Sequence, residues 1–212
     1  MAIYKNGILG EFTGTIGSVV GSSWRGIPVM RGKPIRKKTG FTVLQEQQRA
    51  RFLLVSGFLR PLTGLLNQTY QKSAVGMTCF NKALSENKAA ITGDYPSIKI
   101  DYPRIVLSKG RLPLGEPPVI SSPEGGKLLL SWKTGDGINE FLTAGTAFIA
   151  AFNEELNRWI MGQYDIPEGT LSFMLEVGPF RGRPVQTYIG FISRSGQKNS
   201  QSRYMGPVNV LP

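Results

Sequence analysis

Apolar positions follow three different spacings along this chain. In residues 1–40, Ile16, Val19, Val20, Trp24, Ile27 and Val29 are set among glycines at 7, 10, 14, 17, 21, 26, 32 and 40. Each interior glycine costs a helix about 1 kcal/mol relative to alanine. The pattern therefore predicts short strands and tight turns, read as an extended arm or small hairpin laid over another surface. The spacing turns helical near residue 43. Thr42 is placed to cap, with Gln45 in capping-box position. From Val43 to Lys72, Leu44, Phe52, Val55, Leu59, Leu62 and Leu66 recur mostly at intervals of three and four, which predicts an amphipathic helix with its apolar face in the core. Pro61 should kink or split that helix. A shorter helix is expected over 74–90, through Phe80, Ala83 and Leu84, ended by ITGDYPS.

Period-two patterning comes next. Residues 97–110, SIKIDYPRIVLSKG, read as a strand that Pro103 confines to an edge or breaks. LPLGEPP at 112–118 reads as a linker. Beyond it, strands are expected at Val119–Ser121, Lys127–Trp132, Thr146–Phe152, Arg158–Gly162, Thr170–Met174, Val185–Ser193 and Arg203–Val210. Turn signals separate several of them, among them Pro123-Glu-Gly-Gly and Ser195-Gly. Short strands at this spacing predict an immunoglobulin- or fibronectin-like β-sandwich, with Trp132 suited to its core. The fold class is α+β. Residues 1–40 form the arm, 41–111 a helical region with a connecting strand, and 112–212 the sandwich.

Charge sharpens the first of these regions. The chain carries a formal net charge of +11. Residues 1–60 hold ten Lys or Arg against two acids, 61–111 seven against three, and 112–212 eight against nine. All the excess lies before residue 112, an asymmetry that would attract polyanions or an acidic protein face. Trp24, Arg25, Arg31, Lys33, Arg36, Lys37 and Lys38 are the candidate partner-contact residues. Their arginines and tryptophan suit a protein interface. The cations also suit a phosphate backbone, with Tyr4 and Trp24 as stacking rings.

Catalytic chemistry finds little to work with. There is no histidine, which removes imidazole ligands and bases. The one cysteine, Cys79, allows no intrachain disulfide, and its apolar neighbours predict a buried, inert thiol. Glu154, Glu155, Asp165 and Glu176 are candidates for an acid–base pair, and nothing in the spacing pairs them. Glu154-Glu155 reads as a turn between strands. GILGEFTGTIG lacks the Gly-Lys-Ser/Thr ending of a phosphate loop. No cofactor or metal site is expected.

The runs KNGILGEFTGTIGSVVGSSWRGIPVMRGKP, QEQQRARFLLVSGFLRPLTGLL, DYPRIVLSKGRLP and YIGFISRSGQKNSQSRYMG together resemble an uncharacterised family of Bacteroidetes proteins of about this length. The resemblance spans essentially the whole chain. It implies one recurrent unit and supplies no activity, ligand or partner.

The resulting expectation is a non-enzymatic structural or assembly protein acting through protein–protein contacts, with copies of itself or another protein as partner. The alternative is nucleic-acid binding through the basic arm. No apolar run has the length of a signal peptide or membrane span. Cytoplasmic location is the default expectation, with release in a particle or noncanonical export left open.

Overall fold

The computed structural model describes residues 2–4, 7, 10–24, 26–35, 40–112, 118–131, 145–165 and 172–212. The chain divides into two compact units, Met1–Thr42 and Val43–Pro212.

In the first unit, β1 (Ile3–Tyr4), β2 (Phe12–Ile16), β3 (Val19–Trp24) and β4 (Ile27–Gly32) form an antiparallel sheet in chain order. The glycines act at its turns. Gly17 opens the β2–β3 turn at φ +57° and Gly26 stands in the β3–β4 turn at φ +81°, conformations in which a side chain is strained. Gly21 faces a different constraint. Its missing Cβ leaves room for the Phe12 ring and carbonyl, which lie directly against it.

The second unit opens with α1 (Val43–Leu59). A 3₁₀ turn with Pro61 in its first positions succeeds it over Arg60–Leu62, and then α2 (Thr63–Thr69). Proline splits the predicted helix as expected. Thr78 caps α3 (Cys79–Asn87), its Oγ1 accepting from the Asn81 amide at 3.2 Å. Cys79 is half-buried rather than buried.

β5 (Ile91–Thr92) and β6 (Lys99–Ile100) make a two-stranded ladder. The strand expected over 97–110 stops there, because Tyr102–Arg104 turns as a 3₁₀ helix around Pro103. The chain over residues 105–108 joins no ladder, and side chains take the backbone groups of Val106 and Leu107. Asn87 accepts from the Val106 amide at 2.7 Å and donates to the Val106 carbonyl at 2.8 Å. Thr69 Oγ1 donates to the Leu107 carbonyl, and the Leu107 amide donates to Ser202 Oγ, both at 2.8 Å. These bonds satisfy buried groups that would otherwise each cost about 1–3 kcal/mol.

The remaining strands are β7 (Val119–Ser121), β8 (Lys127–Ser131), β9 (Gly145–Asn153), β10 (Arg158–Asp165), β11 (Ser172–Glu176), β12 (Pro184–Ser193) and β13 (Arg203–Asn209). Each coincides with an expected strand to within a few residues. Trp132 lies outside the described residues. The strands pair antiparallel into two sheets, β11-β8-β7 and β10-β9-β12-β13.

The four-stranded sheet is the centre of this unit, with a core on each face. Along β9, Ala147, Ile149 and Ala151 pack with Leu128, Leu130, Phe173 and Leu175 of the smaller sheet. Their neighbours Phe148, Ala150 and Phe152 pack with Val55, Phe58, Leu59, Leu62, Leu65 and Leu66 of the helical segment. Successive side chains of a strand point to opposite faces, so an unbroken apolar run such as TAFIAAF marks a strand buried on both. An aromatic cluster joins helix to sheet. The Phe58 ring lies 4.8 Å from Phe152 and 4.9 Å from Trp159, and Trp159 Nε1 donates to the Phe58 carbonyl at 2.8 Å.

Candidate functional site

Two of the nominated residues, Trp24 and Arg31, stand on an exposed sheet of the first unit. Cross-strand pairing puts Val20 opposite Arg31, Ser22 opposite Val29 and Trp24 opposite Ile27. These six residues therefore share one face. Gly14, Gly21 and Met30 lie on the other. All of β4 is exposed, and of the described residues of β2–β4 only Gly21 is buried. Trp24 is 64% exposed and Met30 68%. Lys33 continues from β4, its amide donating to the Ser18 carbonyl at 2.7 Å. Arg25, Arg36, Lys37 and Lys38 lie outside the described residues.

The second unit adds an apolar surface that the helical spacing assigns to the core. Val55, Leu59, Leu62 and Leu66 are buried as expected, but Leu44 is 72% exposed and Phe52 53%, with Val43 and Leu53 also exposed. The helical period is the same along α1, yet only its second half is covered. Arg51 stands at the boundary. Its Nη2 donates to the Gly93 carbonyl at 2.9 Å, while its Nε is buried without a partner.

Two motifs far apart in sequence meet on a basic groove that sequence reasoning missed. Lys109-Gly-Arg-Leu and Gln197-Lys-Asn come together beside Lys72, lining a groove of about 730 Å³. The available signal was their presence in two of the stretches that carried the family resemblance. Spacing alone could not say that they touch.

The acidic residues are dispersed. Glu154 and Glu155 sit in the turn after β9, and Glu155 pairs with Arg183 at 3.1 Å. Asp165 ends β10 and accepts from Thr146 Oγ1 at 3.0 Å. The register pairs Asp165 with Thr146 and Arg158 with Asn153, so these carboxylates occupy opposite ends of one ladder, roughly 20 Å apart. Among the described residues no group of three or more His, Cys, Asp or Glu could hold a metal. No helix among them is long and apolar enough to cross a membrane.

Shifted proton affinities fall on structural groups. Burial pushes the Tyr70 and Tyr188 hydroxyls well above the ordinary tyrosine range. Tyr102 is raised to about 12, chiefly by burial and then by Glu154. Hydrogen bonds from Lys109 and Lys82 hold Glu86 below the usual carboxylate range. Tyr70 donates to the Val106 carbonyl at 2.9 Å and Tyr188 to the Tyr102 carbonyl at 3.0 Å. Both tie the chain around residues 102–106 to the core.

No curated protein matches the chain. Among solved structures, one described as "Myokine structure" aligns over 44% of this chain and 89% of its own length, with 16% identity and a TM-score of 0.33. A likeness of that size carries no argument about function. The match to a family model reaches much further. A model described as a family of unknown function, DUF6266, matches residues 11–206, so it takes in both units and both motifs of the basic groove, and the chain belongs to that family.

Proposed function

We propose that this chain is a non-enzymatic structural or assembly protein, with residues 1–40 as the contact element and residues 112–212 as a rigid β-sandwich of immunoglobulin- or fibronectin-like type. A second copy of the chain is the favoured partner, and another protein the alternative. One observation carries the reading. The N-terminal sheet presents Trp24, Ile27, Val29 and Met30 to solvent and has almost no buried residue of its own. An isolated small sheet is marginal in water, and apolar side chains on such a sheet gain by burial against another surface.

The sandwich reading draws its support from strand order. The first, second and fifth strands of the region pair in one sheet, and the third, fourth, sixth and seventh in the other. In an immunoglobulin constant-type domain the fourth strand joins the first sheet. Here β10 pairs with β9 instead, as a C′ strand does in variable-type domains.

Analytical ultracentrifugation of the full chain across micromolar concentrations tests the assembly. The expected result is concentration-dependent association that Ile27→Asp and Val29→Asp abolish while the melting transition of the second unit is kept. A monomer at every concentration, with no protein partner copurifying, would sink it.

A second reading has its own observation: Arg31 shares a sheet face with Trp24. A cation and a large ring on one face suit a single strand of nucleic acid. Fluorescence anisotropy with single-stranded and duplex oligonucleotides checks this. Affinity should fall steeply with salt and be lost in Arg31→Ala/Lys33→Ala. Absence of binding at low salt removes it.

A further inference from the structure

Within the second unit, Lys72, Lys109 and Arg111 from the basic stretch before residue 112 are joined by Lys198. Lys72, Lys109, Arg111 and Lys198 line one groove of about 730 Å³, in the range of small-ligand sites. They come from three separate parts of the chain. Only Lys109 has a carboxylate partner, Glu86 at 2.7 Å, and Lys82 shares that carboxylate at 2.8 Å. Lys72, Arg111 and Lys198 form no ion pair among the described residues. Three like charges gathered without carboxylate partners of their own raise the local potential and draw anions to the groove.

The backbone beneath them is fixed. Asn199 Nδ2 donates to the Thr69 carbonyl, to Ser108 Oγ at 3.1 Å and to the Lys109 carbonyl at 3.2 Å. The Asn199 carbonyl accepts from the Leu112 amide at 3.0 Å. Arg111 is thus held between two positions bonded to one residue. Gly110 is required for this approach, since a Cβ there would run into the Asn199 carbonyl. Ser108 Oγ donates to the Ser200 carbonyl at 2.6 Å, below the surface. A floor ordered before the ligand arrives reduces what binding must spend on ordering.

We propose that this groove binds a compact, multiply charged oxyanion of the phosphate type. Arg111 supplies the planar fork that matches two phosphate oxygens, and Lys72, Lys109 and Lys198 act as mobile point charges around it. The site stands on the second unit alone and is separate from assembly through the N-terminal sheet.

Isothermal titration of the full chain with sodium tripolyphosphate in low-salt buffer tests it. Saturable binding near one per chain is expected, weakened about tenfold or more by Arg111→Ala and by Lys198→Ala, since a charged hydrogen bond contributes roughly 1.5–3 kcal/mol. Arg158→Ala, at an exposed position of β10 outside the groove, should leave the affinity unchanged. Thermal melting confirms that each variant folds, and Lys198→Gln, at an exposed side chain, stands in for any that does not. Three results overturn the proposal: no saturable binding, equal weakening by the Arg158→Ala control, or citrate binding as tightly as tripolyphosphate.

Discussion

Two four-stranded antiparallel sheets occur among the described residues, and their surroundings are opposite. The N-terminal sheet, β1 to β4, has β4 exposed from end to end. The central sheet, β10-β9-β12-β13, has a helical layer on one face and a second sheet on the other. Neighbouring strands are hydrogen-bonded in both, so pairing does not separate them. Side-chain volume does. β9 and β12 place Phe148, Ile149, Phe152, Tyr188, Ile189 and Phe191 in alternation toward two cores. β2 and β3 interleave glycine, serine and threonine with their apolar residues, leaving too little volume to enclose a core. One sheet contains what stabilises it, whereas the other presents a surface to be completed.

The largest expected effect breaks the central sheet. Trp159→Ala removes a ring from the Phe58–Phe152 cluster together with the bond to the Phe58 carbonyl. It should cost about 3–5 kcal/mol in denaturant unfolding. Gly190→Ala, in the same sheet, should cost about 1–3 kcal/mol by overpacking, because a Cβ there meets the Phe148 ring. A Gly190→Ala protein as stable as the parent would mean that this face is looser than these contacts imply.

Alkali probes the helix-to-sheet contact. The folded state resists ionising Tyr102, whose folded pKa lies near 12, above the unfolded value of about 10. The neutral hydroxyl's contribution is full below about pH 10 and is lost as pH rises through about 12. Tyr70 and Tyr188 shift in the same direction, again by burial. Ultraviolet tyrosine titration should therefore show these hydroxyls ionising together with unfolding, at higher pH than the exposed tyrosines.

Smaller effects belong to the N-terminal sheet. Val29→Ala should change the stability of the dilute monomer by no more than about 0.5 kcal/mol, as for exposed positions generally. A larger cost that grows with protein concentration would show that this face is buried in an assembly. The smallest effect is expected at Glu86→Gln. The depressed folded pKa of Glu86 makes its contribution full above the unfolded carboxylate value, about 4.3, and lost as pH falls through the lower folded value. Its removal should flatten the acid limb of the stability profile slightly and leave the alkaline limb unchanged.

Local elements are legible in the residues alone. Period-two runs placed all seven C-terminal strands, Pro61 split the helix where it should, and Glu154-Glu155 turned between β9 and β10. Each rests on neighbours a few residues apart, which periodicity and backbone restriction can report. What each face meets was settled by the folded chain. Folding left Leu44 and Phe52 exposed while burying Leu59 on the same helix. It held Val106 and Leu107, where a strand was expected, through bonds to Asn87, Thr69 and Ser202 from distant positions. It brought Arg111 and Lys198 to one groove across 87 positions of chain. These outcomes depend on long-range contacts, and the spacing of residues along a chain carries no direct record of them.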